Sequence, residues 1–182
     1  STRNGGFEDG VLLPWSQHSF GVVQDASFAS QGDWFAVATE QAAQGASILR
    51  PGTNQRIAAD RNDGLSFQIS FDVRSDTEFF DGIRVFFTAL SGDGTPFATN
   101  SFFTLPPESG ADWITVPHSV ELPGAWDGGG DVFLGFQFEK SAPIGGATYT
   151  GYLDNIMLVQ IPEPSAHALV SCCGLLALAN KW

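Results

Sequence analysis

Alternation of apolar and polar residues is the feature that most constrains the fold of this chain. In the stretch GLSFQISFDVRS, one face carries apolar side chains and the other carries polar or charged ones; the apolar residues are Leu65, Phe67, Ile69, Phe71 and Val73. Successive side chains of a β-strand point to opposite sides of the sheet. This period of two therefore predicts a strand with one buried face.

The same alternation recurs along the chain. It is present in DVFLGFQFE and GIRVFFTAL, and further strand candidates lie at 33–40, 46–50, 112–122 and 149–161. Turn-forming stretches separate them, namely RPGTN, SGDGTP, LPPESGAD and WDGGGD. Short strands at regular spacing, without a convincing helical stretch, predict an all-β fold: an antiparallel jelly-roll β-sandwich formed by residues 1–161.

Charge and cysteine content narrow the function. The formal net charge of −12 repels nucleic acid, so we expect no nucleic-acid partner. The only two cysteines, Cys172 and Cys173, lie near the C-terminus, so the sandwich has no disulfide framework. The chain begins at Ser1 rather than at Met, which together with the composition favours removal of a secretory signal.

The C-terminal segment, residues 162–182, differs from the rest. It opens with Pro162, Glu163 and Pro164, and prolines cannot continue a strand ladder. An apolar stretch follows, in which the larger residues are Leu169, Val170, Leu175, Leu176 and Leu178. As a helix this stretch would extend about 21 Å, short of the roughly 30 Å hydrocarbon core of a bilayer. We predict an apolar helical segment that is a marginal membrane span.

This segment resembles the PEP-CTERM sorting signal of exported Gram-negative bacterial proteins. The resemblance implies recognition by a membrane exosortase in transit and a destination at the cell surface or in the extracellular matrix. Lys181 is a lone base where the family has an arginine cluster, and His167 interrupts the apolar stretch. Two alternatives therefore stay open: a helix packed on its own domain, or an apolar element buried between subunits of a self-assembled fibre or array.

The two ends of the predicted sandwich resemble jelly-roll carbohydrate-binding modules. The motifs are NGGFEDG, which begins at Asn4, and GYLDNIML, which begins at Gly151. In that family such segments meet and hold a structural Ca²⁺, which implies Glu8 and Asp154 as ligands, with carbonyl groups near 31–33 as further donors. Ca²⁺ prefers six to eight oxygen ligands. The alternative is that Glu8 and Asp154 cap turns or face solvent.

Sugar binding by such a module requires exposed aromatic rings. The candidates are Trp34, Trp113, Trp126 and Tyr149, together with Phe86 and Phe133 on the polar faces of their strands. No carboxylate pair, histidine spacing or serine motif indicates an active site, so we expect no enzymatic activity.

Two functions follow from these observations. The first is a non-catalytic exported structural protein that assembles with itself through residues 162–182. The second is a calcium-supported carbohydrate-binding module for exopolysaccharide, sorted or anchored by the same segment. The two hypotheses differ in whether the working surface lies on the C-terminal segment or on the sandwich.

Overall fold

The computed structural model describes residues 5–10, 15, 19–61, 64–75, 80–105 and 112–162. These residues form ten strands: β1 (Phe20–Gln24), β2 (Trp34–Gln41), β3 (Ile48–Leu49), β4 (Gly52–Ile57), β5 (Ser66–Ser75), β6 (Gly82–Leu90), β7 (Pro96–Thr104), β8 (Ile114–Glu121), β9 (Val132–Ser141) and β10 (Thr148–Ile161). Every pairing is antiparallel.

The strands form two sheets packed face to face. Sheet A has the order β1-β2-β10-β5-β8, and sheet B has the order β3-β9-β6-β7, with β4 also paired to β9. This arrangement confirms the predicted antiparallel sandwich. Among the described residues, no helix is long and apolar enough to cross a bilayer.

The structure confirms the core residues that the alternation predicts. Phe67, Ile69, Phe71 and Val73 of β5 are all buried between the sheets. The apolar positions of β6 and β9 are buried as well; they are Ile83, Val85, Phe87, Ala89, Val132, Leu134, Phe136 and Phe138. Burial of one large apolar side chain contributes about 1.5–3 kcal/mol, so these three strands supply much of the folding free energy.

Three strands were not predicted: β1, β4 and β7. The stretches RPGTN and SGDGTP, predicted as turns, run into β4 at Gly52 and into β7 at Pro96, so the predicted turns are too long. Strand β4 has polar residues at two buried positions, Thr53 and Gln55, which hides its alternation. Strand β7 lies at the edge of sheet B, where a proline at the strand start is tolerated.

The opening segment reaches the closing strand. The Ile156 amide donates a hydrogen bond of 2.9 Å to the carbonyl of Gly5. Phe7 and Trp15 are fully buried, and the Trp15 ring lies 5.7 Å from the ring of Phe136. The two resemblance motifs therefore meet, and together they close one part of the core.

Strand β10 ends at Ile161, directly before Pro162, which is exposed. The other predictions for the C-terminal segment lie outside the described residues; they concern Glu163, Pro164, Leu169, Val170, Leu175, Leu176 and Leu178. The division into a sandwich over 1–161 and a separate segment over 162–182 stays a prediction.

Candidate functional site

The solvent-facing side of sheet B, here called the sheet B face, brings aromatic rings together with polar side chains. Cross-strand pairing places its residues in three adjacent rows over β4, β9, β6 and β7. The rows are Arg56–Phe133–Thr88–Ala98, Asn54–Gly135–Phe86–Asn100 and Gly52–Gln137–Arg84–Phe102. The residues next to them along each strand point inward and are largely buried, so these rows face solvent.

One phenylalanine occupies each row, and each lies on a different strand. Phe133 is on β9, Phe86 on β6 and Phe102 on β7, so the three rings follow a diagonal across the sheet. Strands lie about 4.8 Å apart and alternate residues about 6.8 Å apart, which separates successive Cα positions by roughly 8 Å. The diagonal is therefore about 16 Å long, a length that suits several linked ring-shaped units.

Glycines beneath two of the rings let them lie close to the sheet. The tip of the Phe86 ring covers Gly135, where an added Cβ would lie 2.1 Å from Cζ. At Gly82 an added Cβ would lie 2.3 Å from the carbonyl oxygen of Phe103 and 2.4 Å from Cζ of the Phe102 ring. Phe86 and Phe133 are half-buried, Phe102 is 42% exposed, and none of the three belongs to the core cluster.

A polar network surrounds the rings. Arg84 Nη1 donates a hydrogen bond of 2.9 Å to Asn100 Oδ1, and its Nη2 donates one of 3.1 Å to Glu139 Oε2. The guanidinium carbon of Arg84 lies 5.5 Å from the centre of the Phe102 ring, within cation–π range. The network fixes polar donors and acceptors beside the rings, as recognition of hydroxyl-rich ligands requires.

The structure buries two of the residues that were predicted to bind sugar, so that prediction is wrong for both. Trp126 is fully buried, and its indole N–H donates to the carbonyl of Leu90 at 2.9 Å. Tyr149 is fully buried too, and its hydroxyl accepts the Ile144 N–H at 2.8 Å. Both rings support loops from within the core, and neither offers a surface for stacking.

Trp34 and Trp113 are half-buried and lie on the side of sheet A. Trp113 donates its indole N–H to the carbonyl of Phe28 at 2.6 Å and contacts the Phe28, Phe35 and Tyr152 rings. Trp34 packs against the core beside Gly10. Their sugar-binding role stays a prediction, and neither joins the Phe133–Phe86–Phe102 diagonal.

The outer side of sheet A has a cleft of about 370 Å³. It is lined by apolar and polar side chains of β5, β8 and β10: Gln68, Ile69, Ser70, Pro117, His118, Ser119, Met157 and Val159. Its lining contains no phenylalanine, tyrosine or tryptophan ring. Stacking against a sugar is therefore better supported on the sheet B face.

Glu8 and Asp154, the predicted calcium ligands, contact neighbouring parts of one loop. Glu8 accepts amide N–H groups from Asp33 and Trp34 at 3.0 and 3.3 Å. Asp154 accepts those of Ser30 and Gln31 at 3.0 and 3.2 Å. N–H groups cannot ligate a cation, so in this conformation the carboxylates are engaged by donors instead.

No group of three or more acidic, histidine or cysteine side chains in the described part of the chain is arranged to hold a metal. Calcium binding stays a prediction with a direct thermal test.

A second carboxylate lies beside Asp154. Asp72 faces it across the β5–β10 pair, and the Ser30 hydroxyl lies 2.7 Å from Asp72 Oδ2 and 2.8 Å from Asp154 Oδ2. The single hydroxyl hydrogen of Ser30 can be donated to only one of these two oxygens at a time. Burial raises the pKa of the Asp154 carboxyl. The hydrogen bonds from Ser30, Gln31 and Asn155 act in the opposite direction and offset only part of this rise.

Comparison with solved structures shows the same fold in carbohydrate-binding modules. A family 61 module in complex with β-1,4-galactotriose is 16% identical, with a TM-score of 0.53 over 87% of this chain and 97% of the module. The xylan-binding family 22 module of Paenibacillus barcinonensis is 14% identical, with a TM-score of 0.58 over 88% and 94%.

A tailspike enzymatically active domain from bacteriophage CBA120 shares the fold as well. It is 14% identical, with a TM-score of 0.62 over 88% of this chain and 21% of the tailspike chain. At these identities the similarity establishes the shared sandwich. No protein-family model matches the sequence, and no curated protein does.

Sequence reasoning named Phe86 and Phe133 but missed Phe102, Arg84 and Glu139. Phe102 lies on β7, which was not predicted as a strand, so its face could not be assigned. The signal that could have found Phe102 is Gly82, because a glycine in a strand can mark a close approach of another group.

Proposed function

We propose that this protein is a non-catalytic carbohydrate-binding domain that holds a linear polysaccharide on the sheet B face. The observation that carries the proposal is the diagonal of Phe133, Phe86 and Phe102, set beside fixed polar side chains. Apolar CH faces of sugars stack on such rings, and their hydroxyl groups pair with amide and guanidinium groups. Binding modules with the same fold support this choice.

The outward-facing rings favour binding over catalysis. A glycosidase needs two carboxyl groups about 5–10 Å apart across the scissile bond. In the described part of the chain, the rows that carry the three phenylalanines contain no carboxylate. The nearest one in this network, Glu139, is already paired with arginine. The partner of the face is then a polysaccharide outside the cell, in keeping with the exported, surface or matrix location that the PEP-CTERM resemblance implies.

Affinity gel electrophoresis tests the proposal. The full chain is run through gels that contain β-1,4-galactan, xylan, polygalacturonate or methyl-esterified polygalacturonate. Phe86→Ala and Phe102→Ala are compared with Met157→Ala, which removes an exposed apolar side chain from sheet A. We expect at least one polysaccharide to retard the wild type. Met157→Ala should be retarded equally, and both phenylalanine variants should be retarded less. Lack of retardation in all four gels, or equal effects of all three variants, would refute the proposal.

A further inference from the structure

The sheet B face carries two arginines that share a single carboxylate. Arg50 Nε and Arg84 Nη2 both donate to Oε2 of Glu139, at 3.3 and 3.1 Å. In the described part of the chain, Glu139 is the only acidic partner of either arginine. The cluster therefore holds one more positive charge than negative charge.

The two guanidinium groups are held differently. Arg84 is fixed by Glu139, by Asn100 and by the Phe102 ring, and its side chain is 29% exposed. The Arg50 side chain is 50% exposed, and in the described part of the chain it contacts Glu139 through Nε. Its terminal nitrogens, Nη1 and Nη2, have no partner there. The cluster thus combines one fixed and one available guanidinium beside the phenylalanine diagonal.

A guanidinium binds a carboxylate or a sulfate ester through two parallel N–H donors, and such charge-assisted hydrogen bonds are stronger than neutral ones. We propose that Arg50 and Arg84 bind the anionic group of an acidic polysaccharide whose sugar rings stack on the diagonal. This inference rests on the proposed function and adds its ligand class. Uronate carboxylates and sulfate esters share the required chemistry.

The overall charge of −12 opposes binding of a polyanion. At 0.15 M ionic strength, however, the Debye length is about 8 Å, so exposed acidic side chains farther away are largely screened. The direct contact with Arg50 is a hydrogen-bonded one and is screened much less. Salt therefore reduces the long-range repulsion more than the direct contact, so we expect lower salt to weaken binding.

Matched ligands and variants test this inference. Polygalacturonate is compared with its methyl ester, which removes the charge, and carrageenan is compared with chemically desulfated carrageenan, which keeps the backbone and removes the sulfate. Arg50→Gln is the test variant, since its exposed side chain leaves the core untouched. Arg61→Gln is the control, because it removes the same charge from a loop outside both sheets. Circular dichroism confirms that each variant is folded.

We expect the wild type and Arg61→Gln to bind a charged polymer about tenfold more tightly than its neutral counterpart, which is about 1.4 kcal/mol. Arg50→Gln should reduce that ratio to about one while retaining the weaker neutral binding. An unchanged ratio in Arg50→Gln, or preference for the neutral polymers, would overturn the inference. If the inference fails but Phe86→Ala still weakens binding to the neutral polymers, the proposed function stands without it. Absence of binding to every polymer would refute both.

Discussion

Substitution of Gly135 by alanine should displace the central ring of the sheet B face without removing it. The new Cβ would lie 2.1 Å from Cζ and 2.2 Å from Cε2 of Phe86, whereas ordinary contacts begin near 3.4 Å. The ring tip must therefore retreat by more than an ångström. No backbone atom is among the three nearest atoms, so the strand can keep its place and the ring must move.

The magnitudes separate binding from folding. If a sugar covers about 50 Å² of the ring, burial at about 25 cal/mol per Å² contributes about 1.3 kcal/mol, or about tenfold in affinity. Alanine in a strand is favoured over glycine by roughly 0.5–1 kcal/mol, and a displaced ring costs roughly 0.5–1.5 kcal/mol. These two terms nearly cancel, so Tm should change by no more than a few degrees.

Isothermal titration with the polysaccharide that retards the wild type measures the loss of affinity. Gly21→Ala is the control, because Gly21 lies on sheet A and its added Cβ would meet only Val37 Cγ1 at 4.0 Å. We expect Gly135→Ala to lose about tenfold in affinity and Gly21→Ala to lose none. Wild-type affinity in Gly135→Ala would show that the Phe86 ring is not part of the binding surface.

Three further predictions concern other parts of the chain. Burial lowers the pKa of His118, so the folded state favours the neutral imidazole. Its contribution to stability is therefore lost as the pH falls below about 6.5. Tm should fall more between pH 7.5 and 5.5 in the wild type than in His118→Phe. Glu8→Ala should lower Tm even without metal, because the Glu8 carboxylate accepts hydrogen bonds from two backbone amides. Calcium binding is therefore tested by comparing Tm with added Ca²⁺ and Tm with a chelator. A rise in Tm with Ca²⁺ that Glu8→Ala abolishes supports the site, and no rise contradicts it. Deletion of residues 162–182 should convert any filaments seen by electron microscopy into dispersed particles that keep the β-sheet signal in circular dichroism. Filaments that persist would exclude the C-terminal segment from assembly.

Local sequence patterns were enough to predict the fold class and much of the core. Alternation in 64–75, 82–90 and 131–139 is enough to assign each residue to a face, because strand geometry has a fixed period of two. Phe86 and Phe133 were thus identified as outward-facing from local information alone. Where alternation is interrupted, as at Thr53 and Gln55 of β4, the same reasoning failed.

Which outward-facing residues share a surface depends on how the strands pair. Three phenylalanines from β9, β6 and β7 form one diagonal only because cross-strand register aligns them, and register depends on pairing between distant parts of the chain. Burial of Trp126 and Tyr149 is likewise a result of packing. The local sequence around an aromatic residue in a loop or at a strand start is the same whether its ring lies on the surface or in the core. The shared carboxylate of Arg50 and Arg84 joins residues far apart in sequence, and the pairing of β3 and β6 with the same strand, β9, brings them together.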